Sequence, residues 1–128
     1  MEFWKKFFKY AAFWNWFFTA LGIFAPNVTR MIMKLPQIQE TDIFQGLFFG
    51  AVGVFGLMYW LVHNDPASET SKKLVQLGII GKILVFFYFA HFFFTSRIGF
   101  FGFLPAFGDL VFSIFFIVFL VFPPQEAK

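Results

Sequence analysis

Long apolar runs separated by short polar interruptions make up almost the whole chain. The runs cover roughly positions 7–25, 43–62, 74–95 and 104–122. Each approaches the ~20 residues that a helix needs to cross a hydrocarbon layer. The pattern predicts four spanning helices in one domain, 1–128, with little chain outside the membrane. The interruptions are expected to act as caps and turns. Asp42 with Gln45 three residues later resembles a capping box opening the second span. Asn64, Asp65 and Pro66 stop that span, Thr70 or Ser71 caps the third, and Pro105 suits the first turn of the fourth. Residues 30–34 read as a short helical turn at the interface. Short connections between neighbours give an antiparallel, all-α, four-transmembrane-helix bundle.

The charges set an orientation. With a cytoplasmic N-terminus, the inner segments hold Lys5, Lys6, Lys9, Lys72, Lys73 and Lys128, whereas the outer segments hold Arg30, Lys34 and Arg97. The excess of basic residues on one side places both termini in the cytoplasm. The first run is expected to remain as a mature span, because it is longer than the apolar part of a signal peptide and Ala25 is followed directly by Pro26. The setting is a bacterial inner (cytoplasmic) membrane, with the chain multi-pass.

Composition narrows the chemistry. Hydrophobic residues make up 59% and charged residues 13% of the chain, against about a quarter charged in soluble domains. The 26 Phe are expected on lipid-facing and gap-filling positions. With no Cys, disulfides, thiolate metal sites and Cys nucleophiles are excluded. No metal site is expected, and the net charge of +3 reads as a topology and headgroup signal rather than nucleic-acid binding. Asn27, Val28 and Thr29 match a glycosylation triplet but read as a plain turn.

Small residues mark where helices touch. Gly46, Gly50 and Gly53 fall within about 60° of one another at about 100° per residue, a helix-packing stripe on the second span. A second face of that helix carries Gln45, Val52, Gly56, Tyr59 and His63. Asn15, Thr19 and Gly22 form a contact face on the first span.

The few polar residues inside the hydrocarbon are the candidates for function, since each is expensive there and needs a partner. Depths taken from the ~1.5 Å helical rise sort them into two layers. Asn15 and Lys82 fall in an inner layer, about 12 Å from the cytoplasmic edge. His91 and Asp109 fall in an outer layer, with Arg97 just above, and are expected to pair. Lys82 has space beside Gly78 and Gly81 for an anion, a headgroup or a polar partner such as Asn15 or Tyr59; snorkelling to the inner interface or a structural hydrogen bond is the simpler expectation. Lys82 and His91 are nine positions apart and face opposite ways. Haem ligation by His63 and His91 is excluded by their opposite depths.

The succession Tyr10, Asn15-Trp16, Pro26, Gly53 with Gly56, Tyr59-Trp60, Asp65-Pro66, Gly78 to Lys82 as Gly-Ile-Ile-Gly-Lys, and Gly108-Asp109 resembles small uncharacterised bacterial four-span membrane proteins, broadly DoxX-like. The resemblance covers most of the chain and implies a four-helix membrane bundle. It carries no reaction and no catalytic residues, and it adds Tyr59 to the polar candidates. The function expected first is an accessory or structural subunit, packing against other membrane-protein subunits or against its own copies. An oligomeric transporter or channel for a small solute or ion is the alternative, and a lipid- or quinone-binding protein the second. Membrane lipids are expected partners, and an enzyme is not expected.

Overall fold

The computed structural model describes residues 1–32 and 43–125. Among them all regular structure is helical: α1 (Glu2–Phe24), α2 (Pro26–Ile32), α3 (Ile43–Asn64), α4 (Glu69–Phe94) and α5 (Phe100–Val121). Three helices, α3, α4 and α5, are long and apolar enough to cross a membrane. The 23-residue α1 is as long as these, but Lys5, Lys6, Lys9, Asn15 and the indoles of Trp14 and Trp16 make it less apolar.

Two helices begin earlier than the apolar runs suggest. Ser68, not Thr70 or Ser71, caps α4: its Oγ accepts the Ser71 N–H at 3.0 Å. A Glu69–Lys72 ion pair at 2.6 Å then supports a polar first turn outside the apolar run. Likewise, α5 is capped at Gly99 and already helical at Phe100, so Pro105 lies inside the helix rather than opening it. Its missing N–H leaves the Phe101 carbonyl without the usual donor one turn on. Asp42 lies outside the described residues. Its expected capping partner Gln45 instead accepts from Arg30 Nε at 2.8 Å, tying α2 to α3.

The end of α4 is a Schellman turn. Arg97 N–H bonds the Phe92 carbonyl at 2.8 Å and Ser96 N–H bonds Phe93 at 3.0 Å. Ser96 takes the left-handed conformation (φ 61°) that glycine usually fills there. The Arg97 guanidinium lies 5.4 Å over the Phe92 ring, so the closing contact is a cation on an aromatic face.

Packing is closest between α1 and α3 and between α4 and α5. The α1–α3 pair is antiparallel and joined by polar side chains reaching across to backbone. From α1, Asn15 Nδ2 donates to Val52 O at 3.0 Å and Trp16 Nε1 to Gly53 O at 3.1 Å. The Thr19 hydroxyl lies 2.9 Å from Phe49 O and from its own helix's Asn15 O, with one proton to serve both. At the far end of the pair, His63 Nδ1 lies 2.7 Å from Lys5 O. The expected Asn15, Thr19 and Gly22 face therefore lies against α3. Between α1 and α5 the joint is aromatic instead: Phe8 stacks on Phe116 at 5.3 Å and meets Phe119 edge-on at 5.1 Å. With Tyr59, Val62 and Val75 these rings form a fully buried core near one end of the molecule.

Glycines contribute differently from the expected stripe. A Cβ on Gly46 or Gly50 would meet nothing described within 4 Å, so neither packs against another helix of the described chain. A Cβ on Gly53 would lie 3.1 Å from the Thr19 side chain, so Gly53 does face α1. The close approaches are elsewhere, each beneath an aromatic ring: Gly22 under Phe49, Gly56 under Trp16, Gly78 under Tyr59, Gly81 under Phe55 and Gly108 under Trp14. A helical projection finds glycines that share a face; it does not say which face has a ring to receive.

Candidate functional site

Lys82 stands at the middle of α4, 13 residues after Glu69 and 12 before Phe94. Asp109 stands nine residues after Phe100 on α5. Because α4 and α5 both start earlier than their apolar runs, the two side chains share a level. Lys82 Nζ donates to Asp109 Oδ1 at 2.6 Å and lies 3.3 Å from Asn15 Oδ1. Lys82 is 5% exposed, so it is held inside rather than snorkelling outward.

The Asn15 amide is fixed at both ends. Its NH₂ donates to the Val52 carbonyl on α3, which turns its oxygen toward the ammonium. Lys82 Nζ also lies 5.4 Å from the centroid of the Tyr59 ring and 5.1 Å from that of Phe112, so two π faces flank the cation. Ser113 closes the α5 side by donating to Asp109 O at 2.9 Å, one turn back. Four helices thus contribute to one cluster: Asn15 from α1, Tyr59 from α3, Lys82 from α4 and Asp109 from α5.

This arrangement corrects the two-layer picture. Asp109 pairs with Lys82, and His91 is exposed on α4 away from both. The misplacement has a specific cause: taking Pro105 as the first turn of α5 removes four residues, about 6 Å of helix, from the depth of Asp109. Tyr59, which the sequence suggests as a polar partner of Lys82 and again by resemblance, is wholly buried, and its hydroxyl has no hydrogen-bonding partner among the described residues.

The cluster forms the floor of a cavity of about 240 Å³. The walls are mostly apolar, with aromatic rings that include Trp14, Phe18, Phe48, Phe55 and Phe89. All four long helices and α2 line it. Ile32 on α2, Ala51 on α3, Leu84 on α4 and Phe101 on α5 line the cavity and are also exposed, so it is not sealed from the surface. Most of the wall residues are inconspicuous in sequence, apolar residues among many; Thr29, Gly81 and Pro105 stand out there for other reasons, and the polar floor is the legible part of the site.

Chemically, the floor is a neutral ion pair with spare hydrogen-bonding capacity. The Lys82 ammonium carries three protons, of which Asp109 and Asn15 take two. The second Asp109 oxygen and the Tyr59 hydroxyl add an acceptor and a donor–acceptor. Among the described residues no three His, Cys, Asp or Glu side chains converge as a metal site would require. Comparison of the chain with protein-family models, with curated proteins and with solved structures finds no match, so the functional reading rests on this geometry.

Proposed function

We propose that this chain is a four-span protein of the bacterial cytoplasmic membrane, with both termini in the cytoplasm, that binds a small lipid-soluble molecule between its helices. The observation that carries the reading is the cavity of about 240 Å³ with apolar walls and a buried Lys82–Asp109 floor. A pocket that is mostly apolar and has a few convergent polar groups is the usual form of a small-molecule site. An intramembrane ion pair is expensive to maintain and marks function more often than packing alone. Exposed apolar wall residues on α2, α3, α4 and α5 suit a molecule arriving from the lipid, and the lipid or quinone class fits those demands.

The test is to purify the protein from its native membranes and identify co-purifying small molecules by mass spectrometry, beside a Val85→Phe variant that narrows the cavity. A near-stoichiometric species in the wild type that is depleted in the variant is expected. Equal content in both, or none in either, overturns the reading.

A second reading, an accessory subunit of a larger membrane assembly, is favoured by one observation. A Cβ on Gly46 or Gly50 of α3 would meet nothing among the described residues, which leaves a face that a neighbouring helix could fill. Extraction in mild detergent should then retain a second membrane chain, and a stable lone monomer would exclude it.

A further inference from the structure

The polar floor also limits what kind of molecule the cavity can hold, an inference that rests on the binding reading above. We infer that the occupant presents an uncharged, ring-borne hydroxyl to the floor, and that Tyr59 and Asp109 select it. The class is a lipid-soluble aromatic alcohol of the phenol type, as opposed to an anionic headgroup, a fatty acid or an amine.

Charge decides first. Lys82 by itself would attract a carboxylate or phosphate, but Asp109 already neutralises it at 2.6 Å. An anion entering between the apolar walls would meet a pair with no net charge and a carboxylate oxygen at close range. In a low-dielectric site that repulsion is poorly screened. A cation meets the Lys82 ammonium in the same place. An uncharged group avoids both penalties.

Hydrogen bonding decides next. The Tyr59 hydroxyl is buried and has no partner among the described residues, whereas buried hydroxyls are nearly always bonded. It can donate or accept, the free oxygen of Asp109 can only accept, and the third Lys82 proton can only be given. A ligand hydroxyl both donates and accepts, so it can bond Asp109 and one of the two donors together. A purely apolar molecule would leave all three unused.

Shape decides the rest. The walls carry seven aromatic rings among aliphatic side chains, and rings pack well edge-on or offset against rings. The volume of about 240 Å³ exceeds the roughly 150 Å³ of an engineered apolar cavity that holds benzene, a comparison drawn from another protein. One ring or two fused rings can enter with the hydroxyl turned to the floor.

Three probes sharing one ring system test this: 1-naphthol, naphthalene and 1-naphthoate. Each is measured by equilibrium dialysis against the full-length protein in lipid nanodiscs, with empty nanodiscs as the blank. In the wild type, 1-naphthol is expected to bind about tenfold more tightly than naphthalene, with 1-naphthoate weakest. Tyr59→Phe removes only the unpartnered hydroxyl, and the preference for naphthol over naphthalene should fall severalfold. Asp109→Asn leaves Lys82 without its counter-charge, and the order of naphthoate and naphthol should reverse. Tyr59→Phe and the wild-type series decide the matter even where Asp109→Asn does not fold. Binding of naphthoate as tight as naphthol in the wild type, or an unchanged preference in Tyr59→Phe, overturns the inference. Equal binding of naphthol and naphthalene overturns the hydroxyl preference while leaving a cavity ligand standing. No binding of any probe overturns both.

Discussion

An ammonium and a carboxylate taken out of water each forfeit several kcal/mol of hydration, and their mutual contact returns it only when the geometry is close. Lys82 and Asp109 meet that condition at 2.6 Å, with the Asn15 amide and two aromatic faces completing the shell around the cation. Removing one partner strands the other. Lys82→Met or Asp109→Leu alone should therefore destabilise the protein by about 3–5 kcal/mol, whereas the double variant should lie near the wild type, because an apolar pair has no charge to desolvate. Denaturant unfolding in detergent micelles measures all three. A double variant as unstable as the worse single would show that the pair contributes more than mutual neutralisation. The sequence exposes each of these residues as an isolated polar position, and even the expectation that Lys82 could meet Asn15 can be drawn from depth. It does not reveal the Asp109 partner, because one proline placed a turn too early shifts the acid out of register.

At the scale of the element, the helices were legible wherever apolar runs coincide with helical structure and illegible where polar residues continue the helix. Residues 69–73 are Glu, Thr, Ser, Lys and Lys. They read as a loop by composition, yet they wind the first turn of α4 because Ser68 caps it and Glu69 reaches Lys72. Helix contacts were legible on α1, where Asn15 and Thr19 have to find acceptors. On α3 the face of Gln45, Val52, Gly56, Tyr59 and His63 does meet neighbouring elements, whereas Gly46 and Gly50 meet nothing described, because a glycine by itself demands no partner. The difference is measurable with two matched substitutions. A methyl group on Gly56 would come within 2.6 Å of Trp16 Nε1 and 3.2 Å of the Ala12 carbonyl. Gly56→Ala should cost about 1–3 kcal/mol by overpacking and loosen the Trp16–Gly53 bond. Gly50→Ala meets nothing described within 4 Å and should be neutral or stabilise by up to about 1 kcal/mol, since glycine is a poor helix former. Thermal unfolding of the two variants should move in opposite directions, and equal losses would mean that Gly50 packs against a partner in the purified state.

For the whole molecule, the decisive question is whether α1 crosses the membrane with the three more apolar helices. Its contacts with α3 run in antiparallel order along almost its full length: Lys5 with His63, Asn15 with Val52, Trp16 with Gly53 and Thr19 with Phe49. On the proposed four-span reading, a helix joined to its neighbour at both ends and in the middle occupies the same slab as that neighbour. The bonds that fix it also satisfy the polar groups that lower its hydropathy. Asn15, Trp16 and Thr19 face protein carbonyls, while Phe13, Phe17 and Phe24 are exposed toward the surroundings, so α1 can be less apolar overall and still present an apolar exterior. On this argument the N-terminus and the α3–α4 turn lie on one side, and α2 and the α4–α5 turn on the other. The absence of native Cys makes the test direct. Single cysteines at Phe3, Val28, Thr70 and Ser96, treated with a membrane-impermeant maleimide on intact spheroplasts, should label at Val28 and Ser96 and, only after permeabilisation, at Phe3 and Thr70. Labelling of Phe3 together with Val28 would leave α1 lying along the surface. The cavity would then lose its α1 wall, and with it Asn15, to the interface, and the buried ion pair would stand open to water.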